Sequence, residues 1–517
     1  MKPSKPRYLL IITCLLAVYY LVCGIYLNKL GYCSPEALFY SEKVRIIFEG
    51  IGYKLKVIGL TSPMLPFYAT FVFTPISSLL APVIASAIGT AILFYLIATA
   101  LIKQGLDDFY LLVLLVLFLF HPGILYVAGS GKGIYLTLIF FYMFFMNIFK
   151  YYQSNTTFHV SLASICLVLL IFCDYKFIWL TLFFIPLVFS IAIHSLNLGE
   201  KESIFRIAIS FNNPSLRRKL INKTFAIYII IFILPLASIL CYKLLNQSNA
   251  NDMDYFNESP YGTWTVLAER LNYELLLASP DFKTPDVSLL ISAKALIICP
   301  LMLLAVFLFR SATYQILTLL TPFAFIEFLH IKYERVSLAY EYYLIFIVLS
   351  LLCIIIKAPT FKNQVVLKTL LGTIVLLQLY TGYYELKNSP VNEERNFLTV
   401  LTKRNIDKSQ DENKDMANYI NGLPDDAKIL IDDGIAYPIV AFTTNIKNLT
   451  LPYQEGFISA VETPWGYDNY ILLSTVKNKV GGYSILNPGY VPIVNNANSN
   501  HVKKVYVTQN WALYRLF

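Results

Sequence analysis

Long apolar blocks recur along the first 385 positions of the chain, separated by short polar stretches, and then stop. A helix needs roughly 20 mostly apolar residues to cross a bilayer, and in lipid a helix satisfies its own backbone hydrogen bonds. The pattern predicts about eleven crossing helices, over 8–27, 84–102, 108–121, 133–149, 158–173, 177–194, 224–243, 287–308, 311–330, 338–356 and 365–384. Lys2, Lys5 and Arg7 precede the first block, which is longer than a signal-peptide core and is expected as a retained span.

The stretch from Met64 to Pro82 decides the orientation of everything after it. It is apolar, but Pro66, Pro75 and Pro82 interrupt it. We expect it to lie along the outer surface or dip into it. With the N-terminus inside, Lys103, Lys150, Lys201, Arg206, Arg217, Arg218, Lys219, Lys223, Arg310, Lys357 and Lys362 then fall in the cytoplasm. That is the side where basic residues collect; a crossing at 64–82 would put them all outside. The outer segments become 28–83, 122–132, 174–176, 244–286, 331–337 and the tail from 385. Loop 28–83 still carries Lys29, Lys43, Arg45, Lys54 and Lys56. An anionic lipid head group and ordinary surface charge both account for them.

After residue 385 the pattern changes. Residues 386–410 are polar and read as a linker. Residues 411–517 read as a small extracytoplasmic α/β domain: an amphipathic helix over Asp411–Leu423, then strands at Lys428–Ile431, Tyr470–Ser474, Val502–Val507 and Trp511–Phe517. The fold class expected is thus an α-helical polytopic membrane protein (residues 1–385) carrying this domain.

Composition agrees with a membrane protein: 57% of the 517 residues are hydrophobic and 14% charged, where soluble domains carry about 25% charged. The net charge of +9 reads as membrane anchoring, and no nucleic-acid partner is expected. Cys33 sits in a loop and the other seven cysteines lie in or beside apolar runs, which reads as free buried thiols rather than a disulfide framework. The rich use of Ile, Lys, Asn, Tyr and Phe points to a bacterial genome, and so to a bacterial cytoplasmic membrane.

Soluble-enzyme signatures are missing. The sequence has no Walker A loop, zinc-ligand spacing, nucleophile elbow or dinucleotide fingerprint, and with five scattered histidines no metal site is expected. Gly129-Ser130-Gly131-Lys132-Gly133 is glycine-rich but lies between two spans. Asp432-Asp433-Gly434 follows a strand and is expected to cap the next helix. Asp174 and Lys176 read as a local surface pair. Lys294 and Glu327, both within apolar runs, read as a structural pair or, for Lys294, as part of a site.

The first outer loop is the most distinctive stretch. It runs Ser34-Pro35-Glu36-Ala37-Leu38-Phe39-Tyr40, then Phe48-Glu49-Gly50, then Thr61-Ser62-Pro63-Met64-Leu65-Pro66-Phe67-Tyr68. This arrangement resembles the GT-C superfamily of membrane glycosyltransferases, with an acid soon after the first span, a Tyr-bearing helix, a Gly turn and a proline-led surface helix. His121-Pro122-Gly123 through Gly129-Ser130-Gly131, and Tyr333-Glu334-Arg335 ahead of a span, are similar to further elements of that family. The chain has Glu36 where the family mostly has Asp, and it splits the proline pair as Pro63 and Pro66.

The resemblance implies a polyprenyl-phosphate-linked sugar donor and an extracytoplasmic glycan, lipid or protein acceptor. Such a reaction needs a carboxylate to take the acceptor's proton and cations for the departing phosphate. Glu36 is the candidate base, with Glu49 and Glu42 behind it. Lys132, Arg335 and Lys294 are the candidates for the phosphate. The resemblance leaves a divalent metal open. Two other readings remain: a non-catalytic scaffold presenting its C-terminal domain to partners, and a transporter or flippase of lipid-linked solutes. The latter expects helices broken at mid-membrane.

Overall fold

A computed structural model of the protein describes residues 5–195, 212–268, 270, 290–310, 313–333, 339–495 and 501–517. Among these, six helices are long and apolar enough to cross a membrane: Tyr8–Lys29, Ala81–Lys103, Ile134–Ser154, Pro214–Ala250, Tyr340–Thr360 and Gln364–Lys387. Two bent pairs raise the count to eight: Asp108–Phe120 with Pro122–Gly129, and Ile291–Ile298 with Leu301–Phe309. Eight is the number of candidate crossings among the described residues, short of the eleven that the sequence pattern predicts. The blocks at 158–173, 177–194 and 311–330 form helices Thr157–Cys173, Leu180–Ser195 and Thr313–Tyr333, which do not count among the eight. At 1.5 Å per residue the first of these is only about 26 Å long, short of the roughly 30 Å hydrocarbon core.

The outward faces are apolar. Leu10, Ile11, Leu15, Val18 and Val22 of the first helix are exposed, as are Ile233, Leu236 and Leu240, and Val365 and Leu376. A soluble monomer does not expose that much continuous apolar surface. The chain is a multi-pass helical membrane protein. All eight cysteines are free; Cys14 and Cys241 are exposed, a correction to the expectation that all are buried.

Helix α1 (Met64–Phe73) occupies the stretch that decides orientation. Its ten residues extend about 15 Å, half the hydrocarbon thickness. Before it comes the fifteen-residue helix Pro35–Glu49, here called the loop helix.

Each bent pair breaks at a proline, which lacks the N–H that a continuous helix needs. One bends by 62° at His121-Pro122 and the other by 102° around Cys299-Pro300. The breaks meet at helix Gln364–Lys387. Gln378 Nε2 donates to the freed Ile298 carbonyl at 2.9 Å and lies 3.2 Å from His121 Nε2, and Thr381 donates to Ile298 at 3.2 Å.

The C-terminal domain holds a five-stranded mixed sheet in the order β2-β1-β3-β5-β4, with β1 Ile429–Leu430, β2 Leu449–Thr450, β3 Tyr470–Ser474, β4 Val502–Val507 and β5 Trp511–Leu516. β1 pairs in parallel with β2 and β3, and β5 lies antiparallel between β3 and β4. Alternate residues of β3 feed two cores: Tyr470 and Leu472 face Met416, Ile439 and Val440, while Ile471 and Leu473 face Phe457 and Leu486. The four strands and the Asp411–Asn421 helix fall where the sequence predicts them. Residues 386–410, expected as a linker, instead contain the helix Asn392–Lys403, whose Phe397, Leu398 and Val400 join the membrane core. Its polar composition hid an amphipathic face.

Candidate active site

The loop helix opens with Pro35, suited to a first turn because its missing N–H would have no helical partner there. Glu36 follows in that turn, where the helix dipole favours a carboxylate. Its side chain is 8% exposed. Oε1 accepts hydrogen bonds from the Tyr40 hydroxyl and the Gly133 backbone N–H, each at 3.0 Å. The second contact depends on glycine, since a Cβ at 133 would strike Pro66.

Lys132 precedes that N–H in a turn made by Gly131, whose φ of +78° lies in the left-handed region glycine adopts freely. Its ammonium lies 2.5 Å from Glu341 Oε2, 3.7 Å from Glu393 Oε2 and 3.8 Å from Glu36 Oε2. Glu393 Oε1 is held by the hydroxyls of Tyr126 (3.1 Å) and Tyr32 (3.3 Å). Next to it, Glu394 accepts the Tyr340 N–H at 2.9 Å and the Ser389 hydroxyl. One cation thus gathers acids from three distant parts of the chain.

Burial sets the electrostatics. It pushes the Glu36 carboxyl up to about 7; Lys132 and the Gly133 N–H oppose this, while Glu341 and Glu393 add to it. Burial alone would lower the Lys132 ammonium, but Glu341, Glu393 and Glu36 outweigh it and hold it well above its usual value. Glu394 is pushed up to about 8, mainly by burial.

Glu36 lines a partly open cleft. Asp174, Lys176 and Glu341 line its polar part, and Ile134, Leu138, Phe177 and Ile345 its apolar part. Trp264 also lines it, placed by a bridge between loops in which Trp264 N donates to Ser62 O at 2.9 Å and Ser62 N to Gly262 O at 2.7 Å. Asp174 caps the short 175–179 helix by accepting the Lys176 N–H, and also accepts the Tyr342 hydroxyl at 3.1 Å. Asp174 and Lys176, expected as a surface pair, are therefore part of the cleft.

The other sequence candidates fall elsewhere. Glu49 pairs with Arg45 at 2.7 Å and is 43% exposed; it lies about 20 Å along the loop helix from Glu36. Glu42 is buried against Lys43. Lys294 is outside the cleft lining, with its ammonium 5.4 Å from the Tyr343 ring centroid. Glu327 accepts the Ser292 N–H at 2.7 Å, and among the described residues no ion pair joins it to Lys294. Arg335 lies outside the described residues. Asp432 caps its helix as expected by accepting the Gly434 N–H at 3.1 Å. Among the described residues no group of three His, Cys, Asp or Glu side chains is gathered so as to hold a metal ion. No protein-family profile matches the chain, and no curated protein matches its sequence.

Proposed function

We propose that this protein is a glycosyltransferase of GT-C type, moving a sugar from a polyprenyl-phosphate donor to an acceptor at the extracytoplasmic face. The proposal takes in about eleven crossings, a bacterial cytoplasmic membrane, an N-terminus inside and the C-terminal domain outside. The observation that carries it is Glu36: a buried carboxylate, pushed up to about 7, on a half-apolar cleft beside Lys132. A base works best when its pKa lies near the working pH.

In the proposed step the acceptor hydroxyl gives its proton to Glu36 as its oxygen bonds to the anomeric carbon. The bond from that carbon to the donor's phosphate oxygen breaks, and its electron pair leaves on the phosphate. Lys176, which lines the cleft, and Lys132 beside Glu36 supply positive charge for that phosphate. The apolar wall of Ile134, Leu138, Phe177 and Ile345 suits the first isoprene units of the donor.

One observation favours a second reading. Two broken helices meeting at Gln378 are a feature of transporters. Proteoliposomes loaded with polyprenyl-phosphate sugars separate the two. Transfer cleaves the sugar–phosphate bond and releases polyprenyl phosphate, whereas transport moves the intact lipid-linked sugar between leaflets.

A further inference from the structure

The loop helix belongs to two structures at once. Its first turn holds Glu36 in the cleft, while its later turns are built into the C-terminal domain. Ile46, and Val57 just beyond the helix, join the domain's core with Ile435, Ile439 and Leu451. In the other direction, Tyr437 and Ala441 of the domain pack among Phe39, Tyr40 and Val44.

Charges bind the two together. Lys43 Nζ lies 2.8 Å from Asp433 Oδ2 and 3.3 Å from Glu42 Oε2, with all three side chains at most 3% exposed. The Lys43 ammonium also sits 5.2 Å from the centroid of Phe39, one turn towards Glu36. Arg45 reaches the far end of the Asp433–Phe442 helix. It donates to the carbonyls of Ala441 (3.0 Å), Thr444 (3.0 Å) and Thr443, which lie at or just past that helix's C-terminus. The Tyr453 hydroxyl donates to Ile51 O at 2.8 Å just beyond the loop helix. The domain's helix is therefore gripped at both ends by one short stretch of the loop helix. Surface charge does not describe Lys43 and Arg45: they are buried fasteners, and breaking such a pair leaves the remaining charge without its counterpart.

We infer that Lys43, Arg45 and Asp433 are positioning residues for Glu36: through them the C-terminal domain fixes the loop helix and keeps its first-turn carboxylate in the cleft. This rests on the proposed role of Glu36 as the base. A fixed geometry matters because small misplacements of a reacting group cost rate rather than binding.

The test uses the full-length protein in nanodiscs. Hydrogen–deuterium exchange of residues 35–49 is measured for wild type, Asp433→Asn and Arg45→Gln, together with the kcat and KM of sugar transfer. The expected result is at least about tenfold faster exchange across 35–49 in both variants, with kcat lowered about tenfold or more and KM within about twofold. Asp433→Glu is expected to restore most of kcat. Exchange and kcat unchanged in both variants would overturn the inference, as would a loss of kcat that accompanies unchanged exchange. If Asp433→Asn does not fold, Arg45→Gln decides alone, because it leaves the Lys43–Asp433 pair in place. If wild type transfers no sugar, the proposed function fails, and the exchange arm still reports whether the domain holds the helix.

Discussion

Lys132 Nζ lies 2.5 Å from Glu341 Oε2, closer than it lies to Glu36 or Glu393. Glu341 stands at the N-terminal end of the span Tyr340–Thr360, and the glycine-rich turn brings Lys132 to it. Lys132 therefore serves as a buried counter-ion as well as a candidate phosphate ligand. Replacing it leaves three carboxylates facing one another in a desolvated site. We expect Lys132→Met to lose about 3–5 kcal/mol of stability, read as a lower melting temperature in detergent. Glu341→Gln is expected to lose less, because two carboxylates still hold the ammonium. Equal melting of Lys132→Met and wild type would contradict this.

As the proposed base, Glu36 would act only when ionised, and its carboxyl is pushed up to about 7. Transfer is expected to rise with pH through about 7 and level off above it. A pH–rate profile already flat from about pH 5 would show that Glu36 is not the group that titrates.

Glu394 gives a stability test that does not involve the reaction. Burial pushes its carboxyl up to about 8, above the ordinary carboxylate value, so the folded protein holds the proton more tightly than the unfolded chain does. The stabilisation from this group is complete below the unfolded value and is lost as pH rises towards 8. Glu36 and Asp432, the latter pushed up to about 6, act in the same direction. Thermal scans of wild type are expected to show melting falling from pH 6 to 8, with a shallower fall in Glu394→Gln. Identical slopes would count against the protonated, buried Glu394.

Gly133→Ala tests the turn. The backbone at 133 is ordinary (φ −73°), so any effect comes from the added methyl against Pro66 and the Glu36 contact. Overpacking of this kind costs about 1–3 kcal/mol. Transfer is expected to fall with it, as the N–H that orients Glu36 moves away. An alanine variant with wild-type melting and activity would show that the turn gives way without consequence.

Much of the fold was legible in the sequence, because apolar blocks and strand-like runs announce themselves locally. The two breaks were only half legible: Pro122 and Pro300 mark them, but their convergence on Gln378 depends on packing between distant helices. Of the candidate site, Glu36 was legible as the acid in the loop after the first span, and Lys132 from its place at a span end. Glu341 and Glu393 were not. One sits among tyrosines at the head of a span, and the other lay in a stretch whose polarity read as a linker. Glu49 lies apart from the cleft for a geometric reason. Thirteen positions along a helix turn it by about 1300°, away from the face Glu36 uses, and there it meets Arg45. Lys43 and Arg45 read as surface charge or as ligands for an anionic head group because nothing local reveals that the C-terminal domain covers them.

The most direct test of the central claim is mass spectrometry of lipid-linked sugars and surface glycans from cells carrying wild type or Glu36→Gln at equal protein level. The account predicts that the variant accumulates a polyprenyl-phosphate sugar and that its glycan lacks the corresponding residue, with transfer down about 10²–10⁴-fold. Identical lipid and glycan profiles in the two strains, alongside a phenotype for full deletion, would contradict it.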